Sequence, residues 1–262
     1  LAQLLLQKGN WNGEQLVPAW WIEEMGKMRV EIPGDEKKAL THYAYHIKAG
    51  KEIFAAEGAF GQYLICFRDF PVAIGITAGA REYLAADICL KYMKEAISEP
   101  CNEEQLEAAE KALCAKLNSL SLVQPEGTFR TARKEAAKLF DRKILFTENP
   151  RKVESVVFTK EGYRIKIEAV INGEQKTLYA SYKAWKRNNL YPDDFTKKYQ
   201  SVAYAMDAEA LYLSVGLINT SYKEEYSLWV NSEDKVIATW RPNVTYLPEE
   251  PDMVWKFTGT FE

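Results

Sequence analysis

Val153-Glu154-Ser155-Val156-Val157-Phe158, Tyr163-Arg164-Ile165-Lys166-Ile167-Glu168-Ala169-Val170-Ile171 and Thr177-Leu178-Tyr179-Ala180-Ser181-Tyr182 follow one another with short polar breaks between them. Successive side chains of a strand point to opposite faces, so runs that alternate apolar and polar residues read as half-buried strands. The same rhythm returns in Ala210 to Asn219, Tyr226 to Val230, Val236 to Trp240 and Met253 to Thr260. The stretch past Gln124-Pro125-Glu126-Gly127, residues 126–262, therefore reads as an antiparallel all-β domain. Trp185, Trp229, Trp240 and Trp255 lie within it. They either fill its core or line a ligand-holding barrel, and core filling is the default.

The region before it has a different texture. Leu1, Leu4, Leu5 and Leu6 form an apolar helical face that stops at Gly9, and Asn12-Gly13 signals a tight turn. A short helix follows between Pro18 and Gly26, with Trp20, Trp21, Ile22 and Met25 inside it. Tyr43 to Ile47, Ile53 to Ala56, Gln62 to Phe67 and Val72 to Thr77 then read as four strands of an antiparallel meander. Tyr83 to Ile97 reads as a helix, and Asn102 to about Leu120 as a second one, charged on one side. The expected organisation is an α+β segment over residues 1–98, a connector helix and linker over 99–125, and the β domain. Leu1 stands where a Met would begin a complete chain, so the sequence reads as a piece of something longer.

Composition narrows the function classes. The 34 basic and 37 acidic residues give a net charge of −3, and no basic block occurs, so a nucleic-acid partner is not expected. No apolar run approaches the roughly 20 residues that cross a bilayer as a helix. Cys66, Cys89, Cys101 and Cys114 form no Cys-x-x-Cys pair and read as buried free thiols, which favours a cytoplasmic location; a signal ahead of Leu1 would make it secreted or periplasmic. Neither a metal nor a cofactor is expected. His42 and His46, four apart, fall on one strand face about 13 Å from each other, too far to share an ion. Asp193-Asp194 and Glu249-Glu250, flanked by prolines, read as solvated loop charges.

Two segments carry a family resemblance. Leu1 to Val17 with the Trp-bearing helix after it, and Tyr43-Ala44-Tyr45 followed by Ala56-Glu57-Gly58-Ala59-Phe60-Gly61-Gln62-Tyr63 and Phe70 to Thr77, resemble the class C-type serine β-lactamase and penicillin-binding-protein superfamily. The resemblance implies the C-terminal part of a β-lactamase-like fold, followed by a domain whose strand rhythm resembles lipocalin-like domains. It implies acyl transfer on an amide or ester, with a small molecule or peptide as substrate of the full-length protein. It puts the third family motif on Ala56, Glu57 and Gly58 as substrate-binding residues, with Ala56 in place of the usual cation and Glu57 where a hydroxyl often stands. The N–H of Ala59 becomes one of two oxyanion-hole donors. The Ser-x-x-Lys nucleophile lies outside this chain, which is expected to be inactive alone. The literal Ser232-Glu233-Asp234-Lys235 falls in a polar stretch between strands and reads as a hairpin loop. An apolar sheet face left uncovered by missing residues implies self-association. The alternative is a non-catalytic module that binds a ligand or partner beside a degenerate hydrolase segment.

Overall fold

The computed structural model describes residues 1–80, 85–99, 101–128, 134–191, 193–194, 198–244 and 254–262. Those residues form two compact units, Leu1–Leu120 and Ser121–Glu262. No helix among them is long and apolar enough to cross a membrane. Tyr83 and Leu84, at the start of an expected helix, and Met253, at the start of an expected strand, lie outside the described residues. So do Pro192, Pro248, Glu249, Glu250 and Pro251.

Leu1–Leu120 opens with α1 (Ala2–Leu6), the hairpin β1 (Asn10–Trp11) and β2 (Glu14–Gln15), and α2 (Ala19–Met25). Asn12 and Gly13 sit at φ of 51° and 86°, the left-handed pair that a two-residue hairpin loop requires. Six antiparallel strands follow: β3 (Val30–Glu31), β4 (His42–Tyr43), β5 (Lys48–Ala49), β6 (Ile53–Gly58), β7 (Gln62–Phe67) and β8 (Ala73–Ile76). The continuous strand expected over Tyr43 to Ile47 is broken, because His46 adopts φ 57° in a turn between β4 and β5. Ile53, Ala55, Tyr63, Ile65 and Phe67 project to one face and pack with Ala86, Cys89, Leu90 and Met93 of α3 (Ala85–Ser98). Cys66, on the other face, donates to the Ala2 carbonyl at 3.6 Å, and Arg68 donates to the carbonyls of Gly50 and Gly26. α4 (Glu103–Ser119) ends the unit. Its first turn is closed by a capping box, in which the Asn102 side chain accepts from the Gln105 amide and the Gln105 side chain from the Asn102 amide. All four cysteines are free; Cys66 is buried and its thiol is pushed up to about 11 by that burial, whereas Cys101 and Cys114 are exposed rather than buried.

Ser121–Glu262 is a closed barrel. Its strands are β9 (Lys143–Phe146), β10 (Val153–Glu161), β11 (Arg164–Ile171), β12 (Glu174–Tyr182), β13 (Lys186–Asn189), β14 (Tyr199–Met206), β15 (Ala210–Leu217), β16 (Lys223–Val230), β17 (Val236–Pro242) and β18 (Trp255–Phe261). Nine of them form the ring, in the order β12-β11-β10-β9-β18-β17-β16-β15-β14, and β13 pairs on β14. The ring closes where β12 runs parallel to β14, Ser181 opposite Ala203 and Tyr182 opposite Tyr204. Strand β13 departs from β12 beyond this point, and a side chain spans the gap. Asn188, buried, accepts from the Tyr179 amide at 2.8 Å and donates to the carbonyls of Tyr179 at 3.0 Å and Lys186 at 2.9 Å. At the β9–β18 seam a Cβ on Gly259 would come within 2.8 Å of both Ile144 and Phe146, so only glycine lets the Phe146 ring pack there.

One end of the barrel is filled. Ala136 and Leu139, on a 3₁₀ turn over Lys134–Leu139, are fully buried, as are Ile144, Ile165, Met206, Leu211 and Val236. Full burial of a Leu, Ile or Val side chain contributes about 1.5–3 kcal/mol. The Ser232–Lys235 stretch lies in the hairpin loop at this end, where Asn231 accepts from the amides of Glu233 and Lys235. Asp207, in the neighbouring β14–β15 turn, is held below the usual carboxylate range: burial opposes its charge, and the Tyr212 hydroxyl with the amides of Glu209 and Ala210 outweighs it.

Two outcomes follow. Asn188→Ala leaves buried backbone groups of β12 unpaired and costs about 2–3 kcal/mol, read as an earlier urea midpoint of the β unit with an unchanged slope; an unshifted midpoint would show the bridge to be idle. Because the folded pKa of Asp207 is lowered, its contribution is present above the unfolded pKa of about 3.9 and lost as pH falls through the folded value. Asp207→Asn is therefore less stable than wild type at pH 5–8, and the difference closes below about pH 4.

Candidate functional site

The structure places the four sequence-derived site residues at a hairpin end. Ala56, Glu57 and Gly58 finish β6, paired with Leu64, Tyr63 and Gln62, and Ala59 begins the turn. The Glu57 carboxylate receives an ion pair from Lys48 on the neighbouring strand at 3.1 Å. A cavity of about 310 Å³ beside it is lined by Asp35, Lys38, Lys48, Glu57 and Asp87. Its charges are used within the unit: Lys38 pairs with Asp35 at 2.6 Å, and Asp87 accepts from the Ala39 amide at 2.7 Å. The Gly-x-x-Gly-Gln sequence has a local cause. Phe60 and Gly61 turn the chain at φ 63° and 89°, and the Gln62 amide donates to the Ala78 carbonyl at 2.5 Å.

The larger site lies inside the barrel. Alternation sends Val156 and Phe158, Ile167 and Ala169, Val202, Leu213 and Val215, and Leu228 inward, and between them they bound a cavity of about 380 Å³. That is within the range of small-molecule sites. A nine-strand ring leaves such a space because its circumference exceeds what medium-sized side chains fill. The lining runs to the end opposite the 3₁₀ plug, where Arg151, Asn172, Glu174 and Tyr191 border it. None of the four tryptophans lines the cavity. Trp240 packs on Trp255 with centroids 4.3 Å apart, Trp229 faces Lys256, and Trp185 donates to the Leu122 carbonyl.

A polar cluster interrupts this apolar wall. Arg151 projects from the β9–β10 loop, and its Nη2 lies 2.9 Å from Glu224 Oε1 while its Nε donates to the Tyr226 hydroxyl at 3.3 Å. The Tyr226 hydroxyl in turn donates to Glu224 Oε2 at 2.7 Å, so both carboxylate oxygens are engaged. Burial disfavours the Arg151 charge, yet Tyr226 and Glu224 beside it outweigh this and raise its pKa. Burial, with the Glu224 charge, pushes the Tyr226 phenol far above its ordinary range. The triad is thus a fixed cation, anion and neutral donor. Trp240, opposite Tyr226 in the strand register, lies 5.3 Å from the guanidinium; its indole Nε1 is buried and has no hydrogen-bond partner among the described residues. No group of three or more His, Cys, Asp or Glu side chains among the described residues could hold a metal ion.

Sequence reading missed the triad, although one signal was present. Glu224, Tyr226 and Leu228 share a face, and a charge in line with core residues on a strand calls for a buried partner.

No family model matches the chain, and no curated protein does. Among solved structures it matches apo lipid binding protein 8 of Caenorhabditis elegans at 7% identity, over 50% of this chain and 100% of that one, with a TM-score of 0.38. It also matches a fatty-acid-binding protein of Manduca sexta at 10% identity, 47% and 98% coverage and TM-score 0.34. A third match is REP1-NXSQ fatty acid transporter, at 12%, 48% and 97%, with 0.36. At these scores the likeness by itself assigns nothing to this chain.

The expected β-lactamase and penicillin-binding-protein resemblance is corrected: the structures matched are lipid- and fatty-acid-binding proteins. With it go the serine-hydrolase function, the acyl-transfer chemistry and the β-lactamase-like description of residues 1–98. The Gly58–Gln62 pattern that suggested them is accounted for by turn stereochemistry. The all-β reading of the C-terminal region stands, as a closed barrel.

Arg151→Met leaves Glu224 buried without its cation. Breaking a fully buried pair costs about 3–5 kcal/mol, and because the Arg151 side chain is 35% exposed we expect about 2 kcal/mol here. The double variant Arg151→Met/Glu224→Met recovers at least half of that loss in chemical denaturation; additive losses would show the two charges to be uncoupled.

Proposed function

We propose that Ser121–Glu262 is a binding barrel of lipocalin-like character that takes one lipophilic small molecule into its interior. The observation that carries this reading is the cavity of about 380 Å³, walled by side chains that strand alternation sends inward. A ligand there would gain the transfer free energy of its apolar surface, about 25 cal/mol per Å² removed from water, before the costs of association. The filled end gives the cavity a floor, and the lining that reaches Asn172 and Glu174 gives it a rim. The reading rests on this geometry rather than on the low-scoring structural matches. It corresponds to the non-catalytic, ligand-binding alternative of the sequence analysis.

Nile red, an uncharged dye that brightens in apolar surroundings, tests it. The full chain is expected to take up one equivalent with a Kd in the micromolar range. Ala169→Phe/Ala238→Phe, which places two rings into the cavity from opposing strands, should weaken uptake at least tenfold without altering the far-ultraviolet circular dichroism. Equal uptake by the wild type and this variant would locate the dye elsewhere and remove the proposal.

A further inference from the structure

The charges that border the cavity define what it can accept. Arg151 is the cation among the described lining residues, against the carboxylates of Glu224 and Glu174. Its guanidinium is already engaged: Nη2 meets Glu224 at 2.9 Å and Nε meets Tyr226. The single hydroxyl proton of Tyr226 is spent on the second oxygen of Glu224 at 2.7 Å. An incoming carboxylate would therefore meet a cation whose charge Glu224 already compensates, and would stand beside a like charge in surroundings that screen it poorly. Separating Arg151 from Glu224 to receive it would leave Glu224 uncompensated. Glu174 adds a second anion at the rim, paired with Lys176 at 2.6 Å.

We propose that the barrel selects an uncharged lipophile, such as an ester, ketone or alcohol, and discriminates against the corresponding carboxylate. The Arg151–Glu224–Tyr226 triad is the selectivity device: its positive charge is already compensated by the fixed negative one of Glu224, which a second anion would have to approach. This inference rests on the binding reading above and specifies its ligand class.

The test is displacement of Nile red from the full chain at pH 8 by methyl dodecanoate, dodecan-1-ol and dodecanoate, all below their aggregation limits. Methyl dodecanoate and the alcohol are expected to displace the dye at concentrations at least tenfold lower than dodecanoate. Glu224→Gln, which removes the anion and leaves Arg151 uncommitted, should tighten dodecanoate about tenfold while moving the ester by less than twofold. Because an uncharged chain is intrinsically more lipophilic than its acid anion, the response to Glu224→Gln carries the assignment. The wild-type comparison is decisive in the opposite direction even should the variant not fold: dodecanoate that displaces as well as the ester overturns the proposal. So does an unchanged ratio in folded Glu224→Gln. Failure is distinguishable between the two levels: no uptake of Nile red by the wild type removes the binding reading itself, whereas uptake with no discrimination removes only the ligand class.

Discussion

Every backbone amide and carbonyl of a strand must find a partner, and the C-terminal unit meets that demand by bending its sheet until the first and last edges meet. The seam is slender. Two residue pairs join β12 to β14, and the carboxamide of Asn188 supplies the ladder bonds where β13 departs from β12. Once the ring is closed, alternation does the rest: each inward residue faces a shared interior, and nine strands enclose more room than Val, Leu and Ala side chains fill. The cavity is thus a consequence of strand number and side-chain size, set by the 3₁₀ plug at one end and by the Arg151 loop at the other.

The triad works against the economy of such an interior. A guanidinium and a carboxylate facing an apolar cavity must compensate each other, and the distances among Arg151, Glu224 and Tyr226 show that they do. An isosteric apolar cluster would hold the walls as well or better, so stability alone does not explain why the charges are there. A ligand filter does: the same three side chains that neutralise one another leave the interior unwelcoming to a second anion.

Much of the architecture was legible in the sequence. The alternating runs of Val153–Phe158 and Tyr163–Ile171 read directly as β10 and β11, and Asn12-Gly13 and the Pro18–Gly26 helix stand where their turn and cap chemistry puts them. Closure was not legible, because the β12–β14 contact joins residues whose pairing no local pattern records. Strand β13 was missed because Lys186-Arg187-Asn188-Asn189 carries no apolar alternation; its one inward group is the amide of Asn188. The site was missed for a related reason. Arg151 and Glu224 lie 73 positions apart and acquire meaning only when the ring brings them to 2.9 Å. The Gly58-to-Gln62 stretch misled in the opposite way: a motif-like spacing arose from the stereochemistry of one hairpin turn, with Phe60 and Gly61 both left-handed.

The central claim is that a ligand enters the barrel, and methyl-resolved NMR of the full chain titrated with methyl dodecanoate tests it most directly. The account predicts saturable shifts at one equivalent for the methyls of Val156, Ile167, Val202, Val215 and Leu228, which face the cavity, with those of Ile53 and Ile65 in the other unit unmoved. Shifts confined to Leu1–Leu120, or to outward-facing methyls of the barrel such as Leu145, would contradict it.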